Sequence, residues 1–119
     1  MDLPSRDVAR YLLERLIGEW RRYGRPFAIV HLQLPAEQLE PAIERLRTGL
    51  RGPDVLARWA PEELIVFLPE TDQEGAEAAA ERLRDAVREM PMLAGALQWS
   101  GGSAEGLISR AAWLAARPV

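Results

Sequence analysis

Residues 51–70, RGPDVLARWAPEELIVFLPE, limit the fold more than any other stretch of the chain. A short apolar run, Val55 to Ala57, is followed by turn-forming residues at Ala60-Pro61-Glu62 and a longer apolar run from Leu64 to Leu68. Two apolar runs joined this way predict a β-hairpin. The second run is apolar at every position, which predicts a strand covered on both faces at the centre of a sheet. The rest of the chain then has to supply cover for that hairpin or strands beside it.

The 119 residues suffice for one domain, 1–119, with a single core. An apolar fraction of 48% and a charged fraction of 28% are those of a soluble globular protein. A net charge of −3 argues against a nucleic-acid-binding surface, which is normally basic. There is no cysteine, so disulfides and thiolate chemistry are excluded, and a cytoplasmic location is expected. No apolar run approaches the roughly 20 residues of a membrane span, and the N-terminal MDLPSRD lacks the apolar core of a signal peptide.

Taken in order, Arg6 to Tyr23 predicts a helix. Val8, Leu12, Leu16 and Trp20 recur at helical spacing with Leu13 and Ile17 alongside; Pro4-Ser5 starts it and Gly24 stops it. Phe27 to Leu34 predicts a strand with Ala28, Val30, Leu32 and Leu34 on one face. Its His31 is the chain's only histidine and is read as structural, because the sequence indicates no Ser, Cys or acidic partner nearby. Glu37 to Leu50 predicts a second helix with a stripe of Leu39, Ile43, Leu46 and Leu50. After the hairpin, Thr71-Asp72-Gln73-Glu74 has the pattern of a capping box opening a helix to about Glu89. Met92 to Trp99 predicts the last strand, and Ser103 caps a final helix carrying Leu107, Ile108, Ala111 and Leu114. Right-handed crossovers in this order put both middle helices on one face of a four-stranded antiparallel sheet. The expected class is α+β, a ferredoxin-like β-α-β-β-α-β unit with additional N- and C-terminal helices.

The hairpin also carries a resemblance. Arg51-Gly-Pro-Asp54, five residues, Ala60-Pro61-Glu62-Glu63-Leu64 and an apolar strand ending in Leu68-Pro69 follow a known frame. It resembles the Arg-x-x-Asp, Gly-Gly-Asp/Glu-Glu-Phe and Leu-Pro frame of GGDEF (diguanylate cyclase) domains. The similarity continues in YLLERL and RRYGRPFA near the N-terminus, in AERLR, in Gly95-Ala96 and in GSAEGLISRA near the C-terminus. The implied fold is a reduced GGDEF fold.

The same alignment exposes departures. The family's strand ends in Asp-x-Asp, whose first Asp binds the catalytic metal; the matching positions are Gln33 and Pro35. A neutral amide is a poor substitute for a carboxylate on a hard dication. Ala60 and Pro61 replace both glycines of the signature turn. Proline removes an N–H, and alanine adds a methyl where the triphosphate would approach. The segment that supplies the guanine-recognising Asn and Asp is missing, Ala112 stands where the last helix has Asp, and the phosphate-binding Lys is lacking. Two-metal phosphoryl transfer needs paired carboxylates and precise positioning. The expectation is therefore a domain with no enzyme activity, no metal and no cofactor. In it, Ala60, Pro61, Glu62, Glu63 and Leu64 form a vestigial signature turn, and Glu62 and Glu63 serve only turn solvation.

What the resemblance leaves is the inhibitory product site, Arg-x-x-Asp plus an arginine from the next helix, which binds cyclic di-GMP in the family. Arg51, Asp54 and Arg82 occupy those positions. A guanidinium can fork onto phosphate or the O6/N7 edge of guanine. The plainer reading is that Asp54 caps an ordinary turn and Arg82 is an exposed helix residue. Two functions stay open. One is a regulatory protein-interaction module, with a protein partner or self-association, to which Trp20, Trp59, Trp99 and Trp113 would contribute if exposed. The other is a cyclic di-GMP receptor.

Overall fold

A computed structural model describes residues 3–116. The elements run α1 (Arg6–Tyr23), β1 (Phe27–Gln33), α2 (Ala36–Arg47), β2 (Val55–Ala60), β3 (Glu63–Pro69), α3 (Gln73–Ala86), β4 (Leu93–Gln98) and α4 (Ala104–Ala116). The sheet has the order β2-β3-β1-β4 with every neighbouring pair antiparallel. This is the α+β arrangement expected from the sequence, with the apolar β3 inside the sheet. Leu64 to Leu68 are all buried.

Two cores explain why β3 shows no alternation. Ala28, Val30, Leu32, Leu64, Val66 and Leu68 face α2 and α3, meeting Leu39, Ile43, Leu46, Ala76, Ala80 and Leu83. Phe27, Ile29, Ile65 and Phe67 face the other way, toward Ala9, Leu13 and Ile17 of α1 and Leu107, Ile108 and Ala111 of α4. The terminal helices thus form a full third layer. On that side α4 lies so close to β4 that a Cβ on Gly95 would sit 2.1 Å from the Ala111 carbonyl oxygen. No side chain larger than hydrogen fits there. Trp99 is buried in the same layer, stacked on Phe27 and edge-on to Trp20.

Local signals act as the sequence predicts at three helix ends. Ser5 Oγ accepts from Val8 N–H, Gly24 takes the left-handed conformation with φ 69° that stops α1, and Ser103 Oγ accepts from Gly106 N–H. Four expectations need correction. In α1 the buried line is Ala9-Leu13-Ile17; Leu12, Leu16 and Trp20 pack at its border, and Val8 is 46% exposed. The two lines lie one residue apart on the same side of the helix, and hydrophobicity alone does not say which is central. α2 stops at Arg47, with Leu50 in the turn beyond. α3 ends at Ala86 rather than about Glu89. The capping box does not form: Asp72 is the N-cap, its Oδ1 accepting from Gly75 N–H at 2.8 Å, and Thr71 is used elsewhere.

Candidate functional site

The β2-β3 hairpin places one candidate site at each of its ends. At the closed end, Ala60 pairs with Glu63 across a two-residue turn, Pro61-Glu62. Such turns are usually type I′ or II′ and rely on positive φ. Here neither turn residue has positive φ; the only described non-glycine residue that does is Glu70. The twist is recovered by a register shift between Arg58 and Ala60, which makes Trp59 an extra, bulged residue. Trp59 turns into the α1 layer with the Arg6 and Arg10 guanidiniums 4.5 and 5.5 Å from its ring centre. Proline fits the first turn position because its φ is already set. The turn is locked to β1 by a bond from Leu34 N–H to the Glu62 carbonyl, 3.0 Å.

This brings Gln33 and Glu62 to one small cleft of about 190 Å³, walled by Leu34, Pro35, Pro91 and Leu93. These are the two positions at which the resemblance to GGDEF domains expects metal ligands, and the fold brings them to one cleft. The chemistry offered is one exposed carboxylate and one neutral amide. That donor set does not fit a pair of hard dications, which take several oxygen ligands with carboxylates among them. Among the described residues no three His, Cys, Asp or Glu side chains gather as a metal-binding group. Leu93, 46% exposed, adds apolar surface to the rim.

Glu63, one residue on, has a different role from Glu62. Its Oε1 lies 2.7 Å from His31 Nε2, and His31 is buried. The sequence indicated no acidic partner for this histidine; the sheet register supplies one. Gln33 lies opposite Glu63, which makes Glu63 the diagonal cross-strand neighbour of His31. With a carboxylate at Nε2, that nitrogen is the one that carries the proton and donates. Nδ1 is buried with no partner among the described residues. Glu63 therefore satisfies a buried ring nitrogen beneath the turn, which is more than turn solvation.

At the open end of the hairpin, the turn before β2 is tied by its own aspartate. Asp54 N–H donates to the Arg51 carbonyl at 3.1 Å, and Asp54 Oδ2 accepts from Arg51 N–H at 2.8 Å. The Arg51 guanidinium folds back on the same carboxylate, with Nη2 3.3 Å from Oδ1. Nη2 also donates to Thr71 Oγ1 at 2.8 Å, and that hydroxyl donates to the Pro69 carbonyl at 2.8 Å. The Asp54 side chain is fully buried, whereas that of Arg51 is 49% exposed. The buried carboxylate thus fixes one edge of a guanidinium whose remainder faces solvent. Arg82 on α3 reaches the same loop, its Nε donating to the Gly49 carbonyl at 3.3 Å.

The structure therefore joins Arg51 directly to Asp54 and ties Arg82 to the loop that carries them. Thr71 is a member of the cluster that sequence reasoning missed. The register beyond the bulge accounts for it: Val55 lies opposite Phe67, and continuing outward places Arg51 opposite Thr71. Glu70, beside Thr71, sits at φ 51°, a conformation that costs a non-glycine residue energy.

Residues 35–97, just over half of the chain, match the family described as "Diguanylate cyclase, GGDEF domain". The chain belongs to the GGDEF domain family. Solved structures agree on the fold. The active GGEEF domain of a diguanylate cyclase from Vibrio cholerae is similar at 16% identity, over 96% of this chain and 89% of that one, with TM-score 0.83. The GGDEF domain of DgcB from Caulobacter crescentus, in complex with c-di-GMP, is similar at 16% identity, over 95% and 83%, with TM-score 0.76. Diguanylate cyclase SiaD from Pseudomonas aeruginosa, in complex with its activator SiaC, is similar at 25% identity, over 95% of this GGDEF domain and 53% of SiaD, with TM-score 0.73. A search of curated proteins returned no match. No described helix of the domain is long and apolar enough to cross a membrane.

Proposed function

We propose that this GGDEF domain makes no cyclic di-GMP and acts as a regulatory protein-interaction module that needs neither metal nor cofactor. The observation that carries this reading is the cleft at the signature turn. It holds one carboxylate, Glu62, together with the amide of Gln33, and its volume of about 190 Å³ falls below the roughly 300–1,000 Å³ of ordinary small-molecule sites. Pro61 offers no N–H to a phosphate, and Leu93 with Pro35 and Pro91 makes an apolar surface where charge would have to be neutralised. A protein partner is in keeping with the family, since SiaD was captured with its activator SiaC. The test is incubation of the full chain with GTP and Mg²⁺ or Mn²⁺, followed by chromatography of the nucleotides. Unchanged GTP is expected. Formation of cyclic di-GMP, abolished by Glu62→Gln, would overturn the reading.

A second reading rests on the Arg51 cluster. A half-exposed guanidinium, oriented by a buried carboxylate and a threonine hydroxyl, is prepared to donate to a phosphate or a guanine edge without metal. Arg51, Asp54 and Arg82 would then bind cyclic di-GMP, the ligand found with the DgcB domain. Calorimetric titration decides it. Heat that is lost in Arg51→Ala supports a receptor, and no heat leaves the interaction module alone.

A further inference from the structure

We propose that the groove between α3 and the open edge of β4 takes an extended, basic segment of a partner protein as a fifth strand. The inference rests on the reading of this domain as an interaction module and names the surface and the chemistry of the partner. β4 closes one side of the sheet. The bond from Trp99 N–H to the Phe27 carbonyl sets which way its backbone faces: odd positions turn toward β1, and Ala94, Ala96 and Gln98 turn outward.

Side chains of α3 hold places that a strand would fill. Arg84 Nη2 donates to the Ala94 carbonyl at 2.9 Å, Gln73 Nε2 donates to the Ala96 carbonyl at 3.0 Å, and Gln98 N–H donates to Gln73 Oε1 at 2.8 Å. These are replaceable caps, because a peptide backbone offers the same donors and acceptors in a row. The groove in front of them measures about 630 Å³, and its floor is the small Ala94, Gly95 and Ala96. A chain backbone therefore meets little bulk on approach.

Charge selects the occupant. Glu74, Glu77 and Glu81 line the α3 wall of the groove at helical spacing. Glu81 is paired with Arg84 at 2.7 Å, and Glu77 accepts from Gln73 at 3.0 Å. Three carboxylates against one arginine leave this wall of the groove acidic, which lysines or arginines on an incoming strand complement. A second copy of this chain is disfavoured. Antiparallel pairing of two β4 edges keeps α3 on the same face in both copies and sets the two acidic walls toward each other.

The test titrates the full ¹⁵N-labelled chain with a capped peptide of alternating lysine and valine, about six residues long, a typical strand length. Saturable shifts are expected at Ala94, Ala96 and Gln98, together with slowed hydrogen exchange of the Ala94 and Ala96 amides. Glu74→Gln with Glu77→Gln should weaken binding about tenfold, the effect of removing two partly screened attractions. A glutamate-valine peptide binding equally well would overturn the inference. So would shifts centred elsewhere, or no saturable binding of the lysine-valine peptide. GTP turnover is measured on the same sample. Turnover would remove the parent reading, whereas a failed titration without turnover removes only the strand-docking surface.

Discussion

The two ends of the β2-β3 hairpin differ in how far their side chains are tied into the fold. The closed end pairs Ala60 with Glu63 and brings Gln33 and Glu62 into one cleft, with an alanine and a proline in the turn and a single carboxylate beside an amide. The open end is a connected cluster: Arg51 on Asp54, Arg51 on Thr71, Thr71 on the Pro69 carbonyl. The difference is one of load. Pro61 and Glu62 are exposed and span two residues, so many sequences close the turn. Asp54 is buried, and its carboxylate accepts the backbone N–H that holds the turn leading into β2. At the open end the candidate site and the fold share the same side chains; at the closed end they do not.

The sharpest way to break that comparison is Asp54→Ala. It removes a fully buried carboxylate and leaves Arg51 N–H without its acceptor. Because the Arg51 guanidinium is half in water, its charge is rehydrated, and the loss should be about 2 kcal/mol rather than the larger penalty of a doubly buried pair. Urea denaturation should show a lower midpoint with unchanged slope. A midpoint equal to wild type would mean that the open end carries no more structure than the closed end. Thr71→Val comes next, at about 1 kcal/mol, since it removes the hydroxyl that receives Arg51 and donates to Pro69. Arg51→Ala should cost less than 1 kcal/mol, because its charged end is already solvated. If calorimetry detects cyclic di-GMP binding, it should nevertheless be lost in this variant. An Arg51→Ala effect as large as that of Asp54→Ala would invert the order and make the arginine the structural member.

The fold was legible because its signals are redundant. Uniform hydrophobicity in Leu64 to Leu68 located the inner strand, and the helix starts at Ser5 and Ser103 and the stop at Gly24 each had a residue whose chemistry specifies a cap. The candidate sites were legible as residue identities and less so as contacts. A two-residue turn with no bulge would have set Asp72, not Thr71, opposite Arg51; the single extra residue at Trp59 moves the register by one. Bulges leave no strong mark in a sequence when the extra residue is itself apolar. The same register hid Glu63 from His31, since the pair meets only diagonally across two strands distant in sequence. In α1, alanine at position 9 reads as neutral although it is fully buried, so the stripe was placed one residue off.

A change at the closed end sharpens the comparison from the other side. Replacing Ala60 and Pro61 together by glycine gives the turn the glycines of the family signature and removes only one partly buried methyl, that of Ala60. The wild-type turn has no residue at positive φ, so glycine relieves no strain in it. The unfolded chain gains freedom at two positions and the Ala60 methyl leaves the edge of the core, for a loss of about 1–2 kcal/mol. Stability should fall by that amount, and GTP should still be untouched, because Gln33 remains the amide in the cleft with Glu62 and the cleft keeps Pro35, Pro91 and Leu93 as its walls. Adding Gln33→Asp to the double variant then supplies a second carboxylate, and titration with Mn²⁺ reads whether the pair holds a cation. If the glycines alone brought turnover, the turn would have been the sole lesion and the loss at the closed end shallow. If all three changes together bring neither cation binding nor turnover, the cleft itself has closed, and the two ends of the hairpin differ in shape as well as in residue type.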